Sequence, residues 1–294
     1  MVPISLLIWL ALEISGYLYV GRHYLHADWS TAALGALGGV LGIRAGINAV
    51  TWVFASTHAS PAPALGIVRR MKLMIEEYFA FLLTFVLVIP FERLWMPADR
   101  LRLGTHPVLL IHGYGCSRGV WWLLRRRLEA AGHSVATVSL APPNISLGRL
   151  EPQLNERIED VCAATGSRQV TLVGHSMGGL IARCYLARHG NERIARLITL
   201  ASPHQGSDMC QIGMGQNARE MTTGSLWLQD MAAEPLTVPA VSLRNAYDNY
   251  VMPQDNQRLP GARDIELAPV GHIAMLYDAR IANQIIELLP PTKP

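Results

Sequence analysis

The sequence has few charged residues and few cysteines, and these shortages narrow the class of protein. Charged residues make up 16% of the 294 residues, whereas half of the chain is apolar and the mean hydropathy is +0.22. That balance is too apolar for an ordinary soluble enzyme. The four cysteines form no C-x-x-C pair and no metal-ligand spacing, so we expect free thiols. The net charge of +3, with no Lys/Arg stripe interleaved with aromatics, argues against a nucleic-acid partner.

The apolar excess lies in the first hundred residues, in three segments. Each is long enough to span a bilayer, although the third only marginally. The first is not an ordinary secretory signal, because no Lys or Arg precedes its apolar run. We therefore predict a hydrophobic helical region over residues 1–96, attached to a membrane (a bacterial inner membrane) by about three spans. The segments are residues 2–20, 31–56 and 73–96.

Two features of this region bear on how its helices pack. Glu13 and Arg44 interrupt the first two segments and favour the alternative of a soluble helical cap, unless the two charges face each other inside a bundle. Gly38, Gly42 and Gly46 recur every four residues, with Gly35 and Gly39 alongside, which predicts close approach of another helix. Basic residues both before and after the third segment leave the membrane side of the remaining chain undetermined.

From residue 97 onward, strand and helix patterns alternate. Continuous apolar strands separated by amphipathic helices predict an α/β fold, a mostly parallel sheet with helices on both faces. We assign residues 97–294 to this catalytic domain. The stretch 203–235 lacks a strand pattern and is expected to form a short lid over the strand ends. The predicted strands are 108–113, 134–140, 170–174, 196–202, 238–243 and 264–270.

The stretch VTLVGHSMGGLIA, residues 170–182, joins the third strand directly to a helix. Such a tight junction forces its turn residue, Ser176, into a strained backbone conformation. Gly174 and Gly178 flank it because a Cβ at either position would collide with the neighbouring strand and helix. The pattern G-x-S-x-G is a nucleophile elbow, which raises the serine Oγ above the sheet edge.

A nucleophilic serine needs a base, and the base needs an anionic partner. Asp248 follows the fifth predicted strand, although Asp255 on the same loop remains an alternative acid. His272 follows the sixth strand and is the candidate base. The order Ser, acid, His is that of a nucleophile-elbow enzyme.

The backbone N–H groups of Met177 and Tyr114 are the candidate oxyanion donors. His112, in the same loop as Tyr114, is interpreted as structural support for the turn.

These motifs resemble the α/β-hydrolase superfamily, and within it the bacterial lipases and esterases. The resemblance covers about residues 105–290 and rests on HGYG, GHSMGG, ASPHQGS, the Asp248 loop and Gly271-His272. It implies ester hydrolysis through an acyl-serine, with Ser176, Asp248 and His272 as the triad. We expect no cofactor, and no aspartate pair matches the calcium site of some such lipases.

The expected partners are an acyl ester or lipid substrate and a membrane, and the oligomeric state is open. Two alternative functions stay open as well. One is an acyltransferase or thioesterase that uses the same triad. The other is a catalytically dead interaction protein that keeps the hydrolase fold.

Overall fold

The described residues of the N-terminal region are mainly helical, and the region precedes the sheet. The computed structural model describes residues 1–58 and 60–291. Helix α1 covers Val2–His23, α2 Trp29–Ser56 and α3 Ile67–Leu82. Helix α3 continues as a π-helical segment over Leu83–Val88, and the short α4 follows at Glu92–Trp95.

Helices α1 and α2 pack against each other through one face of α2. The buried residues of this face recur every four positions, as expected for a helix packed on one side. Arg44 Nη1 lies 2.5 Å from Glu13 Oε1, with both side chains buried. The two charges therefore face each other, which is one of the two arrangements that the sequence left open, and each compensates the burial of the other. The face consists of Ala32, Ala36, Val40, Arg44 and Asn48.

Within the described chain, the predicted close approach is wrong for Gly38, Gly42 and Gly46 and occurs only at the neighbouring Gly39. A Cβ added at Gly38, Gly42 or Gly46 would meet nothing within 4 Å. At Gly39, a Cβ would lie 2.7 Å from the ring of Tyr17, so this glycine allows α1 to approach closely. At about 100° per residue, Gly38, Gly42 and Gly46 lie about 160° around the helix from the buried face.

Two helices of the described chain, rather than three, are long and apolar enough to cross a membrane. These are α1 and α2, with mean hydropathies of 1.6 and 1.4 in their most apolar windows. Only 11% and 22% of those windows are buried, unlike the core helices of soluble proteins. The third expected span instead contains α3, whose buried face includes the carboxylate of Glu77 and packs against the α/β region.

Six parallel strands form a single sheet in the order β2-β1-β3-β4-β5-β6. The first five coincide with predicted strands, because both of their faces are covered and they read as apolar runs. The predicted sixth strand is shorter than expected and largely exposed, as befits an edge strand. The strands are β1 Pro107–Ile111, β2 Ser134–Val138, β3 Val170–His175, β4 Ile194–Leu200, β5 Ala240–Arg244 and β6 Arg263–Glu266.

Helices cover both faces of the sheet and build one apolar cluster on each side. The first cluster joins α6 and α7 to the strands. The second joins α5 and α10, and it also contains Ile89 and Met96 from the N-terminal region. The helices are α5 Trp122–Ala130, α6 Leu147–Thr165, α7 Met177–His189 and α10 Ala279–Leu288. The N-terminal region thus contributes side chains to the core of the α/β region.

The expected lid stretch contains no strand and three short helical pieces. A 3₁₀ turn covers Asp208–Ile212, α8 covers Gln216–Glu220 and α9 covers Leu226–Ala233. They follow β4 and lie over the carboxyl ends of the strands. His58, just beyond α2, bonds Asp208 Oδ2 at 3.0 Å, so the N-terminal region also touches this stretch.

Candidate active site

Ser176 occupies the tight turn between β3 and α7 with a strained backbone. Its φ is 53° and its ψ −123°, a region that non-glycine residues rarely adopt. A Cβ at Gly178 would lie 2.2 Å from the carbonyl oxygen of Ile111 in β1, and one at Gly174 would lie 2.6 Å from Gly179 N. Both glycines are therefore required by contacts with strand and helix, as the sequence predicted.

Asp248 and His272 meet beside this turn. Asp248 Oδ2 lies 2.8 Å from His272 Nδ1, and both side chains are buried. Asp248 Oδ1 accepts hydrogen bonds from the N–H groups of Tyr250 and Val251, which fix the carboxylate within its own loop. Asp255 is half exposed and pairs with Arg258 instead. The geometry thus favours Asp248 over Asp255 as the partner of His272.

Neighbouring groups set the protonation behaviour of His272. Burial by itself lowers the pKa of its imidazole, but the carboxylates of Asp248 and Glu77 raise it, and the net shift is upward from 6.5. His175 lies with its ring 4.6 Å from that of His272. Burial holds the pKa of His175 well below 6.5, so it stays neutral and donates through Nε2 to the carbonyl oxygen of His272.

The loop after β1 closes over Ser176 from the other side. A Cβ at Gly113 would lie 3.0 Å from that of Ser176. Within the described residues, the backbone N–H groups of Tyr114 and Met177 donate to no protein acceptor, which leaves both available to a ligand. His112 Nε2 accepts from Leu140 N at 3.0 Å and its Nδ1 contacts Gly113 O, the structural role that the sequence predicted.

One cavity connects these groups. It has a volume of about 460 Å³, and its lining includes Ser176, His272 and Tyr114 together with many apolar side chains. Among the described residues, neither Ser176 Oγ nor His272 Nε2 makes a hydrogen bond within the protein. The apolar lining comes from both regions of the chain: Ile47, Val50, Phe81 and Phe85 from the N-terminal helices, and Met209, Met214 and Met221 from the lid stretch.

The N-terminal helices also support the His272 loop, which sequence reasoning missed. Thr51 of α2 accepts a hydrogen bond from Asn249 Nδ2, and Asn249 Oδ1 accepts from His272 N. Glu77 of α3 accepts from the N–H groups of Ile273 and Ala274. One feature of the sequence could have shown that Glu77 is buried. It stands four residues from both Leu73 and Phe81 and therefore lies on the same face of α3 as these two apolar residues.

Comparison with known proteins agrees with this architecture. Residues 106–223 match the family described as the alpha/beta hydrolase fold. The chain is 34% identical over 123 residues to triacylglycerol lipases of Pseudarthrobacter phenanthrenivorans and Burkholderia plantarii. Each match covers 38% of this chain, and it covers 37% and 33% of the respective lipases. The chain thus matches about a third of the length of these curated relatives.

Solved structures show the same fold at lower identity. The lipase BlEst2 of Bacillus licheniformis in its mature form superposes with a TM-score of 0.57 at 18% identity. That likeness covers 66% of this chain and 95% of the lipase. Lipase B of Aspergillus fumigatus gives a TM-score of 0.54 at 14% identity, covering 62% of this chain and 52% of that enzyme.

Proposed function

Because the chain is a lipase- and esterase-like protein with the α/β-hydrolase fold, we propose that it hydrolyses carboxylic esters through an acyl-serine intermediate on Ser176. One observation carries the proposal. Ser176, at a strained nucleophile elbow, lines the same cavity as His272, whose Nδ1 lies 2.8 Å from Asp248 Oδ2. Nucleophile, base and anionic partner are the three groups that serine acyl transfer needs.

In the proposed reaction, Ser176 Oγ attacks the ester carbonyl carbon while His272 Nε2 takes the hydroxyl proton. The N–H groups of Tyr114 and Met177 bind the developing oxyanion. The C–O bond to the alcohol breaks, and the proton on His272 passes to the leaving alcohol. Water then attacks the acyl-serine in the same manner and releases the acid. Asp248 holds the Nδ1–H tautomer of His272 and stabilises the imidazolium formed in each half-reaction.

The cavity favours an acyl chain as the substrate group. Its lining is mainly methionine, phenylalanine and aliphatic side chains, with few polar atoms apart from the candidate catalytic groups. Such a surface gains free energy by removing hydrocarbon from water, at roughly 25 cal/mol per Å² of buried apolar area. We infer a lipid acyl ester as the substrate class.

The N-terminal helices are proposed to hold the enzyme in a membrane. At 1.5 Å per residue, α1 and α2 extend about 33 and 42 Å, enough for a hydrocarbon core of about 30 Å. Their outer surfaces are apolar and exposed. Ile47 and Val50 of α2 are 46% and 52% exposed and also line the cavity. An acyl ester could therefore enter the cavity sideways from the lipid along α2.

Labelling with a fluorophosphonate tests the catalytic part of this proposal. The wild-type chain in membrane fractions should be labelled and should hydrolyse p-nitrophenyl acyl esters. Ser176→Ala should abolish labelling and lower turnover by at least about 10³-fold. Ser146→Ala is the matched control, since the Ser146 side chain does not cap its helix. A wild-type chain that is folded yet neither labelled nor active would overturn the proposal and favour an inactive hydrolase fold.

A further inference from the structure

Glu77 is a carboxylate that the proposed reaction does not use, although it lies against the candidate base. Its side chain is fully buried on α3. Glu77 Oε1 accepts a hydrogen bond from Ile273 N at 2.9 Å, and Oε2 accepts one from Ala274 N at 2.8 Å. Burying a carboxylate is strongly unfavourable unless it is hydrogen-bonded, so these two N–H groups account for its presence there.

The loop that carries His272 is closely fitted around this carboxylate. A Cβ at Gly271 would lie 2.1 Å from Glu77 Oε2. Glu77 therefore contacts Gly271 before the histidine and binds the N–H groups of Ile273 and Ala274 after it. The backbone on both sides of the imidazole is held by one side chain from a helix almost two hundred residues away in sequence.

We propose that Glu77 is a positioning residue for His272 in the ester hydrolysis inferred above, on which this inference rests. Its carboxylate fixes the His272 loop so that Nδ1 stays on Asp248 while Nε2 is free for the cavity. Its negative charge, together with that of Asp248, stabilises the imidazolium that forms when Ser176 attacks. Glu77 reaches neither the substrate nor the reacting atoms, so it acts through His272.

Apart from Asp248 and Glu77, the titratable groups around the His272 imidazole are uncharged. Among the described residues, only these two carboxylates can therefore stabilise the imidazolium electrostatically. His175 is neutral because burial lowers its pKa, and Tyr250 is neutral because burial raises its pKa. Tyr277, on the far side of Glu77, has a raised pKa for the same reason and carries no charge. Burial raises the pKa of Glu77 to about 7, against the lowering effect of its two N–H donors. Above about pH 7, Glu77 is therefore mainly ionised, and its charge favours the imidazolium of His272.

The test compares Glu77→Gln with Glu76→Gln in the full-length protein in detergent. Glutamine keeps the size of the side chain but removes its charge and gives up one acceptor. We expect kcat for p-nitrophenyl esters to fall by about tenfold or more with KM within about twofold, and the acid limb of kcat/KM to move to lower pH. Glu76 is half exposed and pairs with Lys72, so Glu76→Gln should match the wild type.

An NMR titration of the His272 imidazole gives a readout that needs no turnover. The pKa of His272 should be lower in Glu77→Gln than in the wild type. A Glu77→Gln protein with unchanged kcat, acid limb and imidazole titration would overturn the proposal, even if its melting temperature fell. If Glu77→Gln does not fold, the wild-type titration decides, since a His272 pKa at or below 6.5 would also overturn it. A shifted titration in a protein without turnover would refute ester hydrolysis and leave the positioning role standing.

Discussion

At the scale of single residues, the chemistry depends on which carboxylate faces His272. Asp248 is buried and fixed by two N–H donors of its own loop, whereas Asp255 is half exposed and paired with Arg258. A buried, oriented carboxylate can hold one imidazole tautomer, and an exposed one paired with an arginine cannot.

Asp248→Asn should therefore reduce kcat for ester hydrolysis by about 10³–10⁴-fold, because the amide can present its NH₂ to Nδ1 and favour the wrong tautomer. Asp255→Asn is the matched control on the same loop and should change kcat by less than about twofold. Steady-state kinetics on both purified variants checks this. The reverse ranking would transfer the role to Asp255.

The pH dependence of kcat/KM follows from the upward shift of the His272 pKa. His272 must be neutral to accept the serine proton, and its pKa lies above 6.5 in the fold. Lowering the pH through that raised value protonates the base, so kcat/KM should fall with an acid limb above pH 6.5. The imidazolium form is the one that the fold stabilises. The contribution of His272 to stability is thus complete below pH 6.5 and is lost as the pH rises through the raised value. An acid limb near pH 5 would contradict this assignment.

Sequence reasoning could place Ser176 and His272 in the candidate site because motif and chain order fix their positions. A strand, a tight turn and a helix place the serine, and the chain order of the elbow enzymes places the histidine. Glu77 could not be found that way, since its partners are backbone N–H groups 196 and 197 residues away. Nothing local marks Glu77 as different from Glu76, except the helical spacing that puts it on the buried face.

At the scale of elements, replacing a glycine by alanine should have opposite effects on stability at the elbow and on α2. Gly178→Ala places a Cβ 2.2 Å from the backbone oxygen of Ile111, and a backbone atom in a central strand cannot move aside cheaply. We expect loss of labelling and a lower melting temperature. Gly42→Ala meets nothing within 4 Å on an exposed helix face, so it should keep activity and gain about 0.5–1 kcal/mol of helix stability. Thermal melts and labelling of both variants measure the difference; equal effects would contradict the packing described here.

The sheet was predictable at this scale and the helical packing was not. Buried parallel strands read as apolar runs, so the first five were predicted with ends within about two residues of those observed. The exposed edge strand β6 ends four residues before its predicted end. The predicted third span, residues 73–96, begins inside α3, whose apolar residues lie mainly on one face and whose charged residues include Glu76 and Glu77. The contacts of α3 with the His272 loop show that it packs against the α/β region, and those contacts exist only in the folded chain.

At the scale of the whole molecule, the N-terminal region joins the catalytic region at several points. Glu92 of α4 accepts hydrogen bonds from Ser117 Oγ and from Gly119 N. Ile89 is fully buried in the cluster that includes α5 and α10. The first 96 residues are therefore packed into the α/β region as well as being the proposed anchor.

This arrangement predicts two separable outcomes of removing residues 1–96. The full-length protein should pellet with membranes and resist extraction by carbonate or high salt, because apolar helices rather than charges retain it. A chain starting at Pro97 should lose that retention. It should also lose labelling and tend to aggregate, because it lacks Glu77 and Glu92 and exposes the surface that Ile89 covers. Carbonate extraction, size-exclusion chromatography and fluorophosphonate labelling of both chains measure these effects. Full-length protein in the soluble fraction without detergent would refute the membrane proposal. A monomeric, fully active truncated chain would show instead that the N-terminal region is only an anchor.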